Sequence, residues 1–167
     1  MSDAVFELRD GLYVPSADAR GPWDAGSLHG GAPAALLARE IERAGPGGEM
    51  FVARVTYEFL GPVPLAPLSV EATIVKPGKR LQIVEARLSS DERLVALARA
   101  VRLRRGAVEL PEESLAHGAA PPGPEKGQTA PFPAQTGDRG FHRTAMEISW
   151  LEGSYAERGP GSGSASR

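Results

Sequence analysis

Hydrophobic and polar positions change period several times along the chain. Phe6-Glu7-Leu8-Arg9 and Leu12-Tyr13-Val14 alternate on either side of Asp10-Gly11. Asp-Gly between short alternating runs predicts a β-hairpin with a two-residue turn. Ser16 to Ser27 carries Gly21-Pro22 and Gly26 and reads as loop. From Gly31 to Ala44 the period lengthens, and Ala34, Leu37, Ile41 and Ala44 fall on one helical face. Pro33 is tolerated there because a first-turn N–H has no intrahelical acceptor. Gly45-Pro46-Gly47-Gly48 stops the helix.

Period two then returns. Met50 to Leu60 is rich in Phe, Val, Thr and Tyr and predicts a strand. Gly61 to Pro67 breaks it. Leu68 to Val75 and Leu81 to Leu88 predict two more strands, turned at Pro77-Gly78. Leu94 to Leu103 is ambiguous: its Ala, Leu and Arg content favours helix by intrinsic propensity. Its place after three strands with short turns favours a fourth meander strand, and strand is expected. Gly106 to Gly140 holds Pro111, Pro121, Pro122, Pro124, Pro131 and Pro133 and reads as a surface linker. Phe141 to Tyr155 regains alternation and predicts one more strand, and Gly159 to Arg167 a tail without structure of its own. The expected architecture is α+β: an antiparallel sheet curled around one central helix over residues 1–105, a linker over 106–140, and a further piece over 141–167.

The chain has 167 residues, enough for one domain with a core. Lys plus Arg is 19 and Asp plus Glu is 21, a formal charge of −2. That balance lacks the basic footprint of a nucleic-acid binder. The absence of cysteine excludes disulfides, thiol catalysis and Cys-based metal sites. His117 and His142 stand apart from any carboxylate pattern, so no metal site is expected. No apolar run approaches the roughly 18 residues of a membrane span. Met1 to Val5 lacks a basic start and an apolar core, so no signal peptide is read and a cytoplasmic location is expected.

The densest chemistry is Trp23-Asp24-Ala25-Gly26-Ser27-Leu28-His29-Gly30-Gly31, entering the helix. Glycines let the backbone approach a ligand, and the first N–H groups of a helix are unpaired and at the positive end of its dipole. Such an entrance suits an oxyanion or a polarised carbonyl. His29 is expected to orient the loop or a substrate carbonyl rather than to act as acid or base. Asp24 is expected to cap the turn at Gly26, and Trp23 to be a packed loop anchor. Glu40 and Glu42 are expected in solvated pairs with Arg43 and Arg39. Lys76 to Arg105 holds nine basic and three acidic residues. That excess attracts a phosphate, or equally reflects arginines on a strand's solvent face.

His29-Gly30-Gly31 leading into Ala34-Ala35-Leu36-Leu37, with Val63-Pro64-Leu65-Ala66-Pro67-Leu68 and Gly78-Lys79-Arg80 downstream, resembles the hotdog-fold thioesterases. Among them the chain is most similar to the acyl-CoA thioesterase II-like family, which carries two hotdog repeats. The resemblance implies that Gly30 and Gly31 supply oxyanion donors with His29 beside them. It implies that Trp23, Lys79 and Arg80 contact the substrate, the last two through coenzyme A phosphates. Coenzyme A enters as part of the substrate, with no separate cofactor. A carboxylate would activate water or attack directly. Single-repeat relatives with His-Gly-Gly often carry it where this chain has Ala38, and Glu40 lies about 200° further round the helix, facing away. The two-repeat family places its acidic residue in the second repeat. Residues 141–167 are expected to open such a repeat and stop before its helix, as in a chain truncated after the first. A homo-oligomer or a second hotdog half is the expected partner, and hydrolysis of an acyl-CoA the expected activity. A catalytically incomplete acyl-CoA-binding half is the alternative. A hydratase or dehydratase using His29 with Asp24 is a third reading.

Overall fold

The computed structural model describes residues 4–45, 50–114, 120, 122–129 and 139–153. The N-terminal hairpin pairs β1 (Phe6–Arg9) with β2 (Leu12–Pro15). Asp10 and Gly11 adopt φ of 49° and 81°, the left-handed pair a two-residue hairpin turn requires. Tyr13 and Leu68 exchange backbone hydrogen bonds at 2.8 and 3.0 Å, which ties the hairpin to the main sheet.

Helix α1 (Gly31–Arg43) follows. The main sheet then forms from β3 (Met50–Phe59), β4 (Ser69–Lys76), β5 (Leu81–Ser90) and β6 (Arg93–Arg104). All pairings are antiparallel, in the order β3-β6-β5-β4. One face of the sheet packs on α1. The buried stripe of α1 is wider than Ala34, Leu37, Ile41 and Ala44 predict: Ala32, Pro33, Leu36, Leu37 and Ile41 are buried, with Ala44 just beyond the helix, while Ala34 is half-buried. Each fully buried Leu, Ile or Val contributes roughly 2 kcal/mol. Ala96, Ala98 and Ala100 alternate inward on β6, beside Ala86 on β5. Their small side chains let α1 lie close to the sheet. That packing overrides the helix propensity of the segment.

Arg102 continues the inward row of β6 and is only 3 % exposed. Its Nη1 donates to the carbonyl oxygens of Ile41 at 3.2 Å and Ala44 at 2.7 Å. A buried cation thus sits on the negative end of the helix dipole, sharing the Ile41 carbonyl with Ala44 N–H and satisfying the Ala44 carbonyl. One of the basic residues counted toward a phosphate-attracting surface is therefore a helix cap.

Residues 141–155 were expected to form a strand, and the structure corrects this. Phe141–Ala145 is a single helical turn. The N–H groups of Arg143 and Thr144 donate to Gly140 O at 3.0 and 2.9 Å, and these local bonds win over extended pairing. Only β8 (Ser149–Trp150) is extended, and it pairs with β7 (Gln128–Thr129) inside the expected linker. Residues 154 and 155, His117 and the C-terminal tail lie outside the described residues. The antiparallel sheet curled on a single main helix is the expected hotdog arrangement.

Candidate functional site

The loop before α1 is stapled from both sides. Leu28 N–H donates to Val63 O at 2.8 Å and Leu65 N–H to Gly26 O at 2.7 Å. His29 N–H donates to Ala19 O at 2.9 Å. These bonds carry the loop to the end of the sheet where β3 finishes, and set His29 at the helix entrance. His29 also closes that entrance: its carbonyl accepts Ala32 N–H at 2.9 Å, and its Nδ1 accepts Gly31 N–H at 3.0 Å. A neutral imidazole accepting at Nδ1 carries its proton on Nε2. Burial, and secondarily the neighbouring His142, hold the His29 pKa below the ordinary 6.5. The ring is therefore a neutral donor at neutral pH.

Four rings meet here. Trp23 stacks on His29 with centroids 5.8 Å apart and planes at 16°. Phe141 stacks at 5.0 Å and 12°, and His142 meets the ring edge at 4.0 Å and 70°. Trp23 is 74 % exposed, so it is a stacking platform and not the packed anchor expected.

Gly30 and Gly31 were expected as equivalent donors, and the structure separates them. The Gly31 N–H is held by His29. The Gly30 N–H has no acceptor among the described residues. Gly30 lines a cleft of about 350 Å³ whose other walls include Trp23, Leu28, Phe59, Pro62 and Val63. Asp24 and Ser27 are polar residues of that cleft. Asp24 accepts from Ser27 Oγ at 2.6 Å. Ser27, with the backbone N–H groups of Gly26 and Ala25, holds its carboxyl below the usual range. It is the turn cap expected of it.

Among the described residues no carboxylate is hydrogen-bonded to His29. Ala38 is half-buried on α1. Glu40 accepts from Tyr13 Oη at 2.8 Å and pairs with Arg43 at 3.7 Å. The Arg43 pair is the expected one. Arg39, expected beside Glu42, instead lies over the Tyr13 ring at 5.9 Å. Lys79 and Arg80 lie in the β4–β5 turn. Leu81 there is in register with Leu103, and Arg102 next to it holds the C-terminus of α1. Phe59, beside Gly30, is at the opposite end of the sheet. The length of a 13-residue helix, about 20 Å, separates the two. The chain does not bring Lys79 and Arg80 to His29; a strand and its return turn alternate ends.

Sequence reasoning missed a second layer. Asp18, 4 % exposed, accepts from Arg139 Nε at 2.8 Å, from Arg139 Nη2 and from Thr144 Oγ1. Arg20 Nη2 donates to Arg139 O at 2.7 Å, and Phe141 N–H to Arg20 O at 3.0 Å. The Arg139 hydrogen bonds, above all, hold the Asp18 carboxyl below its usual range. An aspartate after Ser16 gives no hint of a partner 121 positions away.

The sequence profile of the family described as acyl-CoA thioesterase N-terminal domain matches residues 19–103, just over half of the chain. The chain belongs to that family. The match covers the whole His29 loop, α1 and the sheet of this thioesterase-family domain. Two solved structures with TM-scores above 0.5 show the same fold. A candidate thioesterase II from Thermobifida fusca is 17 % identical with a TM-score of 0.56, over 83 % of this chain and 51 % of its own. This chain thus spans about half the length of that protein. A Helicobacter felis protein is 12 % identical with a TM-score of 0.51, over 59 % of this chain and 72 % of its own. A phenylacetic acid degradation-related protein of Ralstonia eutropha is 25 % identical with a TM-score of 0.47, over 59 % and 83 %. Comparison with curated protein sequences finds no match. No helix among the described residues is long and apolar enough to cross a membrane.

Proposed function

We propose that this domain binds an acyl-CoA thioester and takes part in its hydrolysis. The observation that carries the reading is the Gly30 N–H, without an acceptor among the described residues, at a helix entrance beside an apolar cleft. The acyl group lies against Trp23, Leu28, Phe59 and Val63. The thioester carbonyl takes the Gly30 N–H, with the His29 Nε2–H as the second candidate donor. Gly31 acts through His29, by fixing its ring. Water adds to the carbonyl carbon, charge develops on the oxygen, the C–S bond breaks and the thiol leaves with a proton. One such donor contributes about 3 kcal/mol to the transition state. Coenzyme A belongs to the substrate, and no cofactor is invoked.

Among the described residues, no free carboxylate stands ready at this entrance to take the water's proton: Ala38 stands in place of one, Glu40 is tied to Tyr13, and Asp24 in the cleft wall is engaged as a turn cap by Ser27 and the Gly26 and Ala25 N–H groups. This favours the second reading, in which the domain is a substrate-holding half. A second hotdog unit, in the double-hotdog arrangement or as another copy, then supplies the carboxylate. Lys79 and Arg80, about 20 Å away, would reach coenzyme A phosphates only of an extended ligand or of one bound by a partner.

The test is a panel of acyl-CoAs, with binding followed by Trp23 fluorescence and turnover by thiol release. Saturable binding, weakened at least tenfold in Gly30→Val, is expected. Turnover by the purified chain supports hydrolysis by this unit; binding without turnover supports the half-site. No saturable binding of any acyl-CoA overturns both.

A further inference from the structure

The stretch 139–145 lies outside the residues matched to the family and far from His29 in sequence, yet it touches His29 directly. It is held by one buried carboxylate. Asp18 receives both the guanidinium of Arg139 and the hydroxyl of Thr144. Thr144 Oγ1, whose single proton goes to Asp18, accepts Gly140 N–H at 3.2 Å, which closes the turn on itself. A backbone bond from Phe141 to Arg20 fixes the start of that turn. The result is a ring placed flat on the His29 imidazole.

We propose that residues 139–145 are a clamp for His29, with Asp18 as the positioning residue that latches it and Phe141 as the face that sets the imidazole plane. Trp23 also stacks on the ring but is largely exposed and cannot fix it alone. The plane matters because Gly31 N–H reaches Nδ1 only when the ring stands in it. That bond in turn keeps the proton on Nε2. Gly31 is part of the fit: an added Cβ would lie 2.6 Å from Phe141 Cε1, so the clamp ring needs a glycine there. The titratable group facing His29 from the clamp is His142, and Asp24 lines the adjoining cleft. The proposal rests on the reading of His29 as a donor to substrate for its use in function, but the clamp itself is read without substrate.

The experiment is ¹⁵N spectroscopy of the histidine side chains in the full chain, in wild type, Asp18→Asn and Phe141→Leu. Wild type is expected to show His29 as the pure Nε2–H form, titrating below the ordinary histidine range. Both variants are expected to shift His29 toward a mixture of the two neutral forms and toward ordinary titration, with sheet amides unmoved. Phe141→Tyr, which keeps the ring, restores the wild-type pattern. Should Asp18→Asn fail to fold, Arg139→Gln removes the half-exposed end of the same latch. A His29 pattern unchanged in Phe141→Leu and in either latch variant overturns the clamp. Failure of acyl-CoA binding with a clamp-dependent His29 pattern overturns only the functional reading.

Discussion

Replacing Gly31 by alanine and Gly30 by alanine should give opposite results, though the two glycines are neighbours. An ideal Cβ on Gly31 lies 2.6 Å from Phe141 Cε1 and 3.0 Å from His29 Nδ1. Ordinary contact begins at 3.4 Å, so the phenyl ring must retreat by about 0.8 Å. A Cβ on Gly30 meets only Phe59 Cζ, at 3.9 Å, and needs no movement. Neither glycine has the positive φ that would strain a side chain. The gain in helix propensity, up to about 1 kcal/mol in a helix interior, is smaller at the first turn. Overpacking costs about 1–3 kcal/mol. It falls on the clamp, because Phe141 is held by one short turn and not by the core. Gly31→Ala is therefore expected to raise amide exchange in residues 139–145 about 5- to 150-fold, since 1.4 kcal/mol is tenfold. Gly30→Ala should leave that exchange unchanged and stability within about 0.5 kcal/mol. Hydrogen exchange read by mass spectrometry on the 139–145 peptide, with sheet peptides as internal reference, measures both. Equal exchange in the two variants would refute the reasoning.

Arg102→Met is expected to cost about 3 kcal/mol, because two carbonyls at the end of α1 lose a charged donor inside the core; a thermal melt lower by about 10 °C checks it. Asp18 has a depressed folded-state pKa, so its contribution is fully present above the unfolded value of 3.8 and is lost as pH falls through the lower folded value. Acid titration of the Phe141 ring signals should show the clamp releasing in that window before the sheet melts, and a clamp that persists to sheet melting contradicts the Asp18 latch.

The main elements were legible because glycine and proline punctuate them and because one face of each is buried. Asp10-Gly11 fixed the hairpin, and the alternation of Ala96, Ala98 and Ala100 marks a strand once neighbouring strands are known. Residue types without their depth were less informative. Arg102 reads in sequence like Arg99 or Arg104, and only burial under α1 makes it a cap. Trp23 reads as a packed loop anchor, but the loop leaves it outside, on His29. Phe141 to Tyr155 alternates by composition, yet Thr144 accepting the N–H of Gly140 helps turn Phe141–Ala145 into a helical turn. Tyr13 and Glu40 are 27 positions apart, and Asp18 and Arg139 121, distances at which one sequence offers no pairing signal.

The use of Gly31 N–H by His29 has a chemical consequence for the whole site. An imidazole whose Nδ1 is engaged and whose Nε2 is protonated cannot take a proton from water without breaking the bond that orients it. Burial and His142 press in the same direction, against the charged form. So the ring offers a donor and not a base, as the proposed hydrolysis would use it. Ala38 and the Tyr13-bound Glu40 leave α1 equally without one. Asp24, the carboxylate of the cleft, is engaged by Ser27 and the turn's N–H groups, so the proposed hydrolysis calls for a carboxylate from another element. In the proposed half-site reading, a second hotdog unit is the element that supplies it.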